Sequence, residues 1–547
     1  MAEGEPRTAR MGLVLSASAA GTVFEWYDFF IFGSLLSIIS RHFFAGAGET
    51  QGYIFALLTF AVGFFVRPFG GLVFGYFGDR TGRKRTFLFT IAIMGVATFA
   101  IGVLPDTGTI GNIAPYLLIG LRVLQGFAVG GEYGGAAVYV AEHAARDKRG
   151  AATGWIQVAA TVGLFLALTV ILIVRTGMGE DAFGAWGWRV PFLLSAVLLL
   201  ISVWIRLKLD ESPAFRAMKA AGATSRAPLS EAFLRWRNLR IVLVVLLGLL
   251  MGQGVVWYTA QFYTQFFLER VVKVEPRIVN ELILGVTVIS ALAHIFFARL
   301  SDRVGRKPIM LFGLALAAVM FVPGFQWLAE AVNPGLTEAI ARAPVSVLAA
   351  PGDCSLQFDP VGKAKFASAC DIAKSTLANL GVPYQNEPVN PGELARIRIG
   401  TRTLSSIDGT VLAPSALAVA QKNFAGEVKA ALSAAGYPAK ADSRRIDVPL
   451  AIAILVLFVI ASAALYGPQA AALVELFPTR IRYSALSLPY HVGVGWFGGF
   501  LPPLAFALVA ATGNLYAGLW YPAGIAAIGF VVTLLFLPET KGRDING

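Results

Sequence analysis

The sequence predicts an all-α polytopic membrane protein, with twelve transmembrane helices in two six-helix pseudo-repeats and a small α/β extracytoplasmic insertion. Its composition excludes a soluble globular chain, because 56% of the 547 residues are hydrophobic and only 14% are charged. A helix needs about 20 mainly apolar residues to cross a bilayer. The sequence contains twelve such runs, roughly 13–39, 52–77, 87–104, 115–141, 151–174, 189–206, 241–268, 278–299, 309–330, 448–474, 484–509 and 515–537.

A short basic hairpin occurs twice, each time between two of these runs. Gly78–Lys84 and Ser301–Lys307 share the order Asp-Arg-x-Gly-Arg-Lys. Two further patterns repeat once in each half: Gly134, Glu142 and Arg149 match Gly467, Glu475 and Arg482 in spacing, and Asp210–Pro213 matches Pro538–Lys541. Motifs duplicated in this way are typical of a transporter built from two repeats.

One interval breaks the match between the halves. Asp79 and Glu142 are 63 residues apart, whereas Asp302 and Glu475 are 173 residues apart. About 110 extra residues therefore lie between the ninth and tenth runs. The sequence predicts five parts: an N-terminal bundle (1–207), a cytoplasmic linker (208–240), helices seven to nine (241–330), the insertion (331–447) and helices ten to twelve (448–547).

The insertion has the pattern of a small soluble unit. Its residues predict strands and helices separated by Pro and Gly, in the order strand Val345–Ala349, helix Lys363–Leu380, strand Glu393–Ile399, strand Ser405–Leu412 and helix Ser415–Ala435. Cys354 and Cys370 are the two cysteines of the chain. On an oxidising face they can form a disulfide, and two free thiols remain the alternative. Their surroundings do not indicate a metal site, because no His or further Cys is nearby.

Lys and Arg residues predict how the chain crosses the membrane. They concentrate in alternate short loops, at Arg80, Arg83, Lys84, Arg85, Arg146, Lys148, Arg149, Arg303, Arg306, Lys307, Arg480 and Arg482, and in the 208–240 linker. Such loops face the cytoplasm, which places both termini and the linker inside. The net charge of +12 is thus explained by topology, and we do not expect a nucleic-acid partner.

Several local motifs resemble one family closely when they are taken together. They are Glu25–Phe30, Arg67–Gly71, the run from Arg122 to Gly135, Trp188–Phe192 and Pro538–Arg543. With the duplicated hairpin, they resemble the metabolite:proton symporter family of the major facilitator superfamily, over the whole chain except the insertion. The resemblance implies uptake, with a proton, of a carboxylate such as 2-oxoglutarate, citrate or shikimate, or of a zwitterion such as proline or betaine. The insertion departs from the short outer loop of that family.

Three acidic residues lie at mid-membrane depth and are the candidates for proton coupling: Asp28 and Glu132, with Glu25 as an alternate. A charge at that depth costs about 2.5–3.5 kcal/mol on insertion scales unless it is used or paired. Among the first four spans, only Arg67 and Arg122 are expected at comparable depth, so at least one acid should lack a fixed partner. The alternative is that Glu132 and Asp28 merely pair with Arg122 and Arg67 and lock helices together.

The substrate is expected in a cavity between the halves, with charged residues on the amino half and neutral polar residues on the carboxyl half. The candidate binding residues are Arg67, Arg122, Gln125, Tyr133, Gln157, Arg189, Gln253 and Tyr258. Arg122 either holds a substrate carboxylate or neutralises Glu132. Arg189 is either an interfacial anchor or, by the family resemblance, an anion-binding residue. Of the histidines in the spans, His294 is the next candidate proton carrier if none of the three acids carries the proton.

The two hairpins predict a cytoplasmic gate. Asp79 and Asp302 can face the positive N-terminus of a neighbouring helix, the basic residues can pair with acids, and a glycine allows each tight turn. Such a latch would hold the inner mouth shut and break when the halves rock. The predicted gate residues are Asp79, Arg80, Gly82, Arg83, Lys84, Glu142, Arg149, Asp302, Arg303, Gly305, Arg306, Lys307, Glu475 and Arg482.

Motifs of competing classes are missing from the sequence. It contains no H-E-x-x-H, no G-x-S-x-G and no G-x-x-x-x-G-K-[ST], so we expect no enzyme activity, no cofactor and an ion gradient in place of a nucleotide. The expected partners are a small-molecule substrate, a proton and the lipid bilayer. A monomer in the bacterial cytoplasmic (inner) membrane is predicted. The alternative is a membrane sensor whose outer insertion binds a ligand.

Overall fold

The computed structural model describes residues 7–44, 49–355 and 367–545, and it is mainly helical. Within these residues, ten helices are long and apolar enough to cross a membrane. An eleventh span results if two helices joined at a 63° bend, Val14–Ser34 and Leu36–Phe43, are counted together.

The helices of the amino half follow the first six predicted spans. Long helices in this half pack side by side because their apolar and glycine-rich faces meet. The elements are α1 (Arg7–Ser34), α2 (Leu36–Phe43), α3 (Glu49–Thr81), α4 (Arg83–Val103), α5 (Thr107–Ile110), α6 (Ile113–His143), α7 (Arg149–Met178), α8 (Glu180–Ala182), a π-helical turn (Phe183–Gly187) and α9 (Arg189–Leu207).

A linker with two short helices, α10 (Pro213–Ala220) and α11 (Pro228–Phe233), leads to the carboxyl half. The seventh span is continuous but changes between α- and π-helix along its length. Its segments are α12 (Trp236–Val245), Leu246–Leu250 (π), α13 (Met251–Tyr258), Thr259–Tyr263 (π), α14 (Thr264–Phe266) and Phe267–Val271 (π).

The remaining helices of the carboxyl half flank and follow the insertion. They are α15 (Pro276–Val304) and α16 (Arg306–Val332) before it, and α20 (Val448–Tyr466), α21 (Gln469–Leu476), α22 (Arg482–Tyr490), a π-helical segment (His491–Gly498), α23 (Leu501–Thr512), a 3₁₀ turn (Ala517–Leu519) and α24 (Trp520–Phe536) after it.

Three of the twelve predicted spans are interrupted. The first span bends after Ser34, the tenth passes from α20 to α21 through Gly467 and Pro468, and the eleventh, predicted as 484–509, is broken between Gly498 and Leu501. Pro502 follows Leu501 directly. Proline has no N–H to continue a helix, but it fits the first turn of a new one. The apolar run alone could not show that it contains a helix end.

In its described residues, the insertion contains three α-helices and a four-stranded sheet in the order β2-β1-β3-β4. Its elements are α17 (Pro334–Arg342), β1 (Val345–Ala349), α18 (Ala369–Asn379), β2 (Gln385–Pro388), β3 (Arg396–Ile399), β4 (Arg402–Ser405) and α19 (Pro414–Ala434). The strand predicted at Ser405–Leu412 is wrong, because the pairing of Ile399 with Arg402 makes a two-residue turn that starts β4 earlier.

The insertion also has a strand that was not predicted and a disulfide that the sequence left open. Strand β2 was not predicted, since it is polar and exposed at the edge of the sheet, where it pairs parallel to β1. The beginning of the helix predicted from Lys363 lies outside the described residues. Cys354 and Cys370 are joined by a disulfide, which selects one of the two alternatives left open by the sequence.

The insertion is hydrogen-bonded to two loops of the carboxyl half. The Tyr384 backbone N–H donates to the carbonyl of Gly513 at 2.9 Å, and the Asn386 amide donates to Ala511 at 3.2 Å. The Ala441 N–H donates to the carbonyl of Lys273 at 3.0 Å. A Cβ at Gly513 would lie 2.0 Å from the Tyr384 carbonyl oxygen, so this close docking requires glycine there.

Candidate functional site

A small cavity lies between the two halves, near the middle of the spans. Its volume of about 20 Å³ is enough for one water molecule, so a substrate can enter only if the halves move apart. Charged groups come from the amino half, as predicted. The lining residues are Glu25, Trp26, Arg67, Tyr133, Gln253, Trp257, Tyr258, Tyr466, Tyr490, His491, Val494 and Gly495.

A second cavity of about 20 Å³ lies within the amino half. Glu25 and Arg67 line both cavities and form the wall between them. Asp28, Arg122 and Gln125 line its other side. Among the residues that the structure describes, no group of His, Cys, Asp and Glu is arranged to hold a metal ion. Carboxylates, guanidiniums and aromatic rings line the two cavities.

Close packing of α3 against α6 positions the two predicted arginines. A Cβ at Gly130 would lie 2.2 Å from the Arg67 carbonyl oxygen, and one at Gly126 would lie 2.2 Å from the Gly63 carbonyl oxygen. Small residues let the helix backbones approach in this way. Arg67 then extends toward the shared wall with its guanidinium carbon 4.3 Å from the Phe64 ring centre.

Glu132 has a partner that the sequence prediction missed. Arg206, at the end of α9, donates to its carboxylate at 3.1 Å, and both side chains are almost fully buried. The guanidinium passes Gly21, where a Cβ would lie 1.5 Å from Arg206 Nη2. Arg206 belongs to the sixth span and so lies outside the first four spans, for which two arginines were expected. Its long side chain at the helix end reaches back along the helix to Glu132.

Asp28 belongs to a chain of neutral and charged hydrogen bonds. Thr98 donates to its Oδ2 at 2.8 Å, Gln125 donates to the Thr98 hydroxyl at 2.6 Å, and Arg122 donates to the Gln125 side-chain oxygen at 2.8 Å. The alternative in which Asp28 pairs with Arg67 is not what the structure shows. Asp28 Oδ1 has no hydrogen-bond partner in the described chain.

Glu25 differs from the other two acids. It is buried, lines both cavities, and has no hydrogen bond or ion pair within the part of the chain that the structure describes. Arg67 lines the same two cavities and interacts with it electrostatically. Of the three predicted acids, Glu25 is therefore the one without a fixed partner, although the sequence pointed first to Asp28 and Glu132.

Tyrosines complete the wall on the side of the carboxyl half. Tyr133 stacks on Tyr490 with ring centres 3.7 Å apart, and the hydroxyls of Tyr490 and Tyr466 are 3.0 Å apart. Gln157 donates to the Tyr133 hydroxyl at 3.3 Å. Gln253 and Tyr258, two of the predicted binding residues, line the cavity. Tyr490 was missed, because one tyrosine in an apolar run gives no signal of its own.

Two predicted residues lie elsewhere. Arg189 donates to the carbonyls of Leu104 and Gly102 at 2.6 and 3.2 Å, at the end of α4, and does not line either cavity. These contacts match the interfacial-anchor alternative. His294 Nδ1 is 2.7 Å from the Ser290 carbonyl oxygen, and its other ring nitrogen has no partner in the described chain.

The first hairpin joins the two halves at one end of the bundle. Asp79, in the amino half, accepts from the backbone N–H groups of Tyr483 and Ser484 at 3.2 and 2.9 Å, at the first turn of α22. Arg83 lies 3.3 Å from Asp79 and donates to the Thr479 carbonyl at 2.6 Å. A carboxylate at a helix N-terminus is favourable because of the exposed N–H groups and the helix dipole.

The second hairpin makes the same contacts in the opposite direction. Asp302, in the carboxyl half, accepts from Gly150 and Ala151 N–H at 2.9 and 2.8 Å, at the first turn of α7. Arg306 donates to Asp302 at 2.7 Å and to Glu475 at 3.2 Å. The spacing repeat of the sequence is therefore a repeat of contacts.

Two further ion pairs cross between the halves beside these caps. Arg482 donates to Glu142 at 2.6 Å, and Arg149 lies 3.6 Å from Glu475. We call the set Asp79, Arg83, Glu142, Arg149, Asp302, Arg306, Glu475 and Arg482 the latch. Its acids and arginines are buried or nearly so. Breaking one partner of such a buried pair costs about 3–5 kcal/mol, so the latch contacts tie the two halves together at this end of the bundle.

The repeated acidic motifs cap the helices that begin at Arg83 and Arg306, a role that the sequence alone did not indicate. Glu211 accepts from Arg83 and Lys84 N–H, and Glu539 accepts from Arg306 and Lys307 N–H, all within 3.3 Å. Gly82 lies between α3 and α4, and Gly305 between α15 and α16, with φ of 118° and 116°, a backbone conformation that favours glycine.

The capping role of Glu539 is reflected in its acidity. Burial acts to raise the pKa of Glu539, but the backbone N–H groups that it accepts from outweigh burial and lower that pKa. A lowered pKa means that the cap contributes stability above the ordinary carboxyl pKa and loses it as the pH falls. The cap is therefore formed at neutral pH.

Besides the two turn glycines, four predicted gate residues, all basic, lie outside the latch. Arg80 and Arg303 are exposed. Lys84 donates to the Leu207 carbonyl at 3.0 Å, and Lys307 donates to the Leu534 carbonyl at 2.8 Å. These basic residues satisfy helix ends or face solvent, so the acids do not pair with every basic residue of the hairpin.

Comparison with known proteins gives the same architecture. The model of a family described as "Sugar (and other) transporter" matches residues 13–232 and 428–547. These ranges hold the amino half, α10, α11 and the last spans. Most of the insertion lies between them.

Two characterised transporters are similar in sequence. The shikimate transporter of Escherichia coli (strain K12) is 37% identical over 332 residues, which are 59% of this chain and 74% of that protein. A glycine betaine/proline/ectoine/pipecolic acid transporter of Dickeya dadantii (strain 3937) is 28% identical over 550 residues, 98% of this chain and 85% of that protein.

A solved structure has the same fold. The major facilitator superfamily proton:xylose symporter bound to 6-bromo-6-deoxy-D-glucose superposes with a TM-score of 0.64. The alignment covers 99% of this chain and 98% of the symporter, at 15% sequence identity.

Proposed function

The chain belongs to the sugar (and other) transporter family, as a metabolite:proton symporter of the major facilitator superfamily, and we propose that it takes up a small carboxylate-bearing molecule together with a proton. The substrate is either an organic acid or a zwitterionic osmolyte. Transport proceeds by alternating access, in which the two halves rock about the central cavity.

The pair formed by Glu25 and Arg67 carries this proposal. Both side chains line the central cavity, one acid and one base, with aromatic rings around them. Arginine binds a carboxylate with two parallel hydrogen bonds. Arg67 is therefore the group that a substrate carboxylate would reach in this chamber.

Coupling follows from competition for Arg67. Glu25 and Arg67 line the same cavity, so an ionised Glu25 is attracted to the positive charge of Arg67. A substrate carboxylate would bring a second negative charge to the same site. Two carboxylates beside one guanidinium repel each other, which favours the protonated form of one of them. Substrate binding and proton uptake on Glu25 thus assist each other.

The experiment is uptake into proteoliposomes with and without an imposed pH gradient, over a panel of mono- and dicarboxylates, proline and betaines. We expect one class to accumulate only when the outside is more acidic, because each pH unit supplies about 1.4 kcal/mol, or tenfold accumulation, per proton. Binding without accumulation of any compound would contradict the proposal and favour the sensor alternative.

We further propose that the protein is a monomer in the bacterial cytoplasmic membrane, with both termini and the latch inside and the 331–447 insertion outside. The Lys and Arg residues of the hairpins and linker support this orientation. A cysteine placed at the exposed Ser405 should react with an impermeant thiol reagent added to whole cells, whereas one at Ser225 should be protected. The reverse labelling pattern would disprove the orientation.

A further inference from the structure

We propose that a cleft beside the latch, between the central linker and the loop before α22, binds a phosphate group. The cleft is separate from the transport cavity and has a volume of about 610 Å³, which is in the range of small-molecule sites. Its walls are Ala223, Thr224, Ser225, Arg226, Ala227, Ser230, Glu231, Leu234, Arg235 and Arg480.

The charge of the cleft indicates an anionic ligand. Three arginines line it, but it contains one carboxylate, Glu231. Arg480 lies 2.6 Å and Arg235 3.5 Å from the same Glu231 oxygen. Arg226 is exposed and has no acidic partner in the described chain. The lining therefore carries a surplus of two positive charges.

The guanidinium and hydroxyl donors of the cleft favour phosphate over other anions. Guanidinium groups match the geometry of phosphate oxygens, and a phosphate carries up to two charges with several acceptor oxygens. The hydroxyls of Thr224, Ser225 and Ser230 add neutral donors to the same walls. A single carboxylate would use only part of this set.

The cleft is placed at the level of lipid headgroups. Leu234 lines it and is 80% exposed, and Trp236, 69% exposed, begins the span Trp236–Glu269. Exposed tryptophan at the end of a span is typical of the membrane interface. A phosphate group can therefore reach the site on an anionic lipid headgroup, or on a soluble phosphate compound with the same chemistry.

A ligand in the cleft would change the contacts of the loop before α22, which we call the latch loop. Arg480 lies between Thr479, whose carbonyl accepts from Arg83 at 2.6 Å, and Arg482, which pairs with Glu142. A bound phosphate would compete with Glu231 for Arg480. The linker and the latch loop would then be joined through the ligand in place of the direct ion pair.

The test measures binding to the purified full chain of dioctanoyl phosphatidylglycerol, dioctanoyl phosphatidylcholine and inorganic phosphate by calorimetry. Arg226→Gln combined with Arg235→Gln should weaken binding of the phosphate-bearing anion at least tenfold. Arg237→Gln is the matched control, since it removes a neighbouring charge that does not line the cleft, and should change the affinity less than twofold.

Preference for phosphatidylglycerol, lost in the double variant, would support the site with a lipid headgroup as the source. Binding of inorganic phosphate that displaces phosphatidylglycerol and is lost in the double variant would support it with a soluble source. Equal affinities of the parent and the double variant would overturn the proposal. An equal loss in Arg237→Gln would overturn it too, because that result indicates a diffuse basic surface.

Discussion

Replacing Glu25 by Gln should reduce pH-driven accumulation at least tenfold while exchange of labelled for unlabelled substrate continues. The glutamine keeps the size of the side chain but can carry no exchangeable charge, so the cavity binds substrate without taking up a proton. Glu25 is the acid that lines both cavities without a hydrogen bond or ion pair in the described chain. The measurement is uptake with an imposed pH gradient beside counterflow without one.

The two other acids serve as controls with different expected results. Glu132→Gln leaves Arg206 buried without its counter-ion, which costs about 3–5 kcal/mol and should lower abundance. Adding Arg206→Gln should restore it, because both charges are then removed. Asp28→Asn keeps an oxygen that can accept from Thr98, and we expect less than a threefold effect.

Retention of pH-driven accumulation by Glu25→Gln would contradict this assignment. If Asp28→Asn or Glu132→Gln at normal abundance then lost it selectively, the ranking based on the sequence would be the better one. If all three variants retained it, the proton carrier would lie elsewhere, and His294 would be tested next.

Asp79→Asn and Asp302→Asn should each lower the transport rate about tenfold with a change in KM of less than twofold. Each aspartate accepts from two backbone N–H groups of the opposite half. Asparagine offers one acceptor oxygen and turns an NH₂ toward the second donor. The loss of a charge-assisted hydrogen bond is worth about 2 kcal/mol, enough to shift the closed latch toward the open form roughly thirtyfold.

Opening of the latch can be followed directly with a cysteine at Ser487. Ser487 is buried in the contact with Gly134 of the amino half, and both native cysteines are joined in the disulfide. Labelling from the latch side should accelerate in both aspartate variants. Arg80→Gln, an exposed change in the same hairpin, is the control and should change neither rate nor labelling.

Parental transport rates and labelling in both aspartate variants, at normal abundance, would show that the latch contacts do not govern closure. A large rise in KM with an unchanged maximal rate would point to an effect on the central cavity. Since the latch and the cavity involve different residues, the two results are distinguishable.

The sequence by itself determined the class of the protein, the two-fold repeat and the position of the insertion. Apolar runs, duplicated hairpins and one unequal interval are linear features, and each follows from a physical requirement of a membrane-spanning chain. The hairpin aspartates were expected at helix N-termini for a local electrostatic reason. Their spacing could not say that the helices belong to the opposite half, α22 for Asp79 and α7 for Asp302.

The tertiary structure alone decided which charges meet inside the membrane. Arg206 pairs with Glu132 because its long side chain extends from the end of α9 past Gly21. The residue pattern within one helix cannot show such a contact between helices. That pairing leaves Glu25 beside Arg67 in the cavity wall. Depth along a span can be counted from sequence, but the partner at a given depth depends on helix rotation and on close contacts between helices, which are properties of the packed bundle.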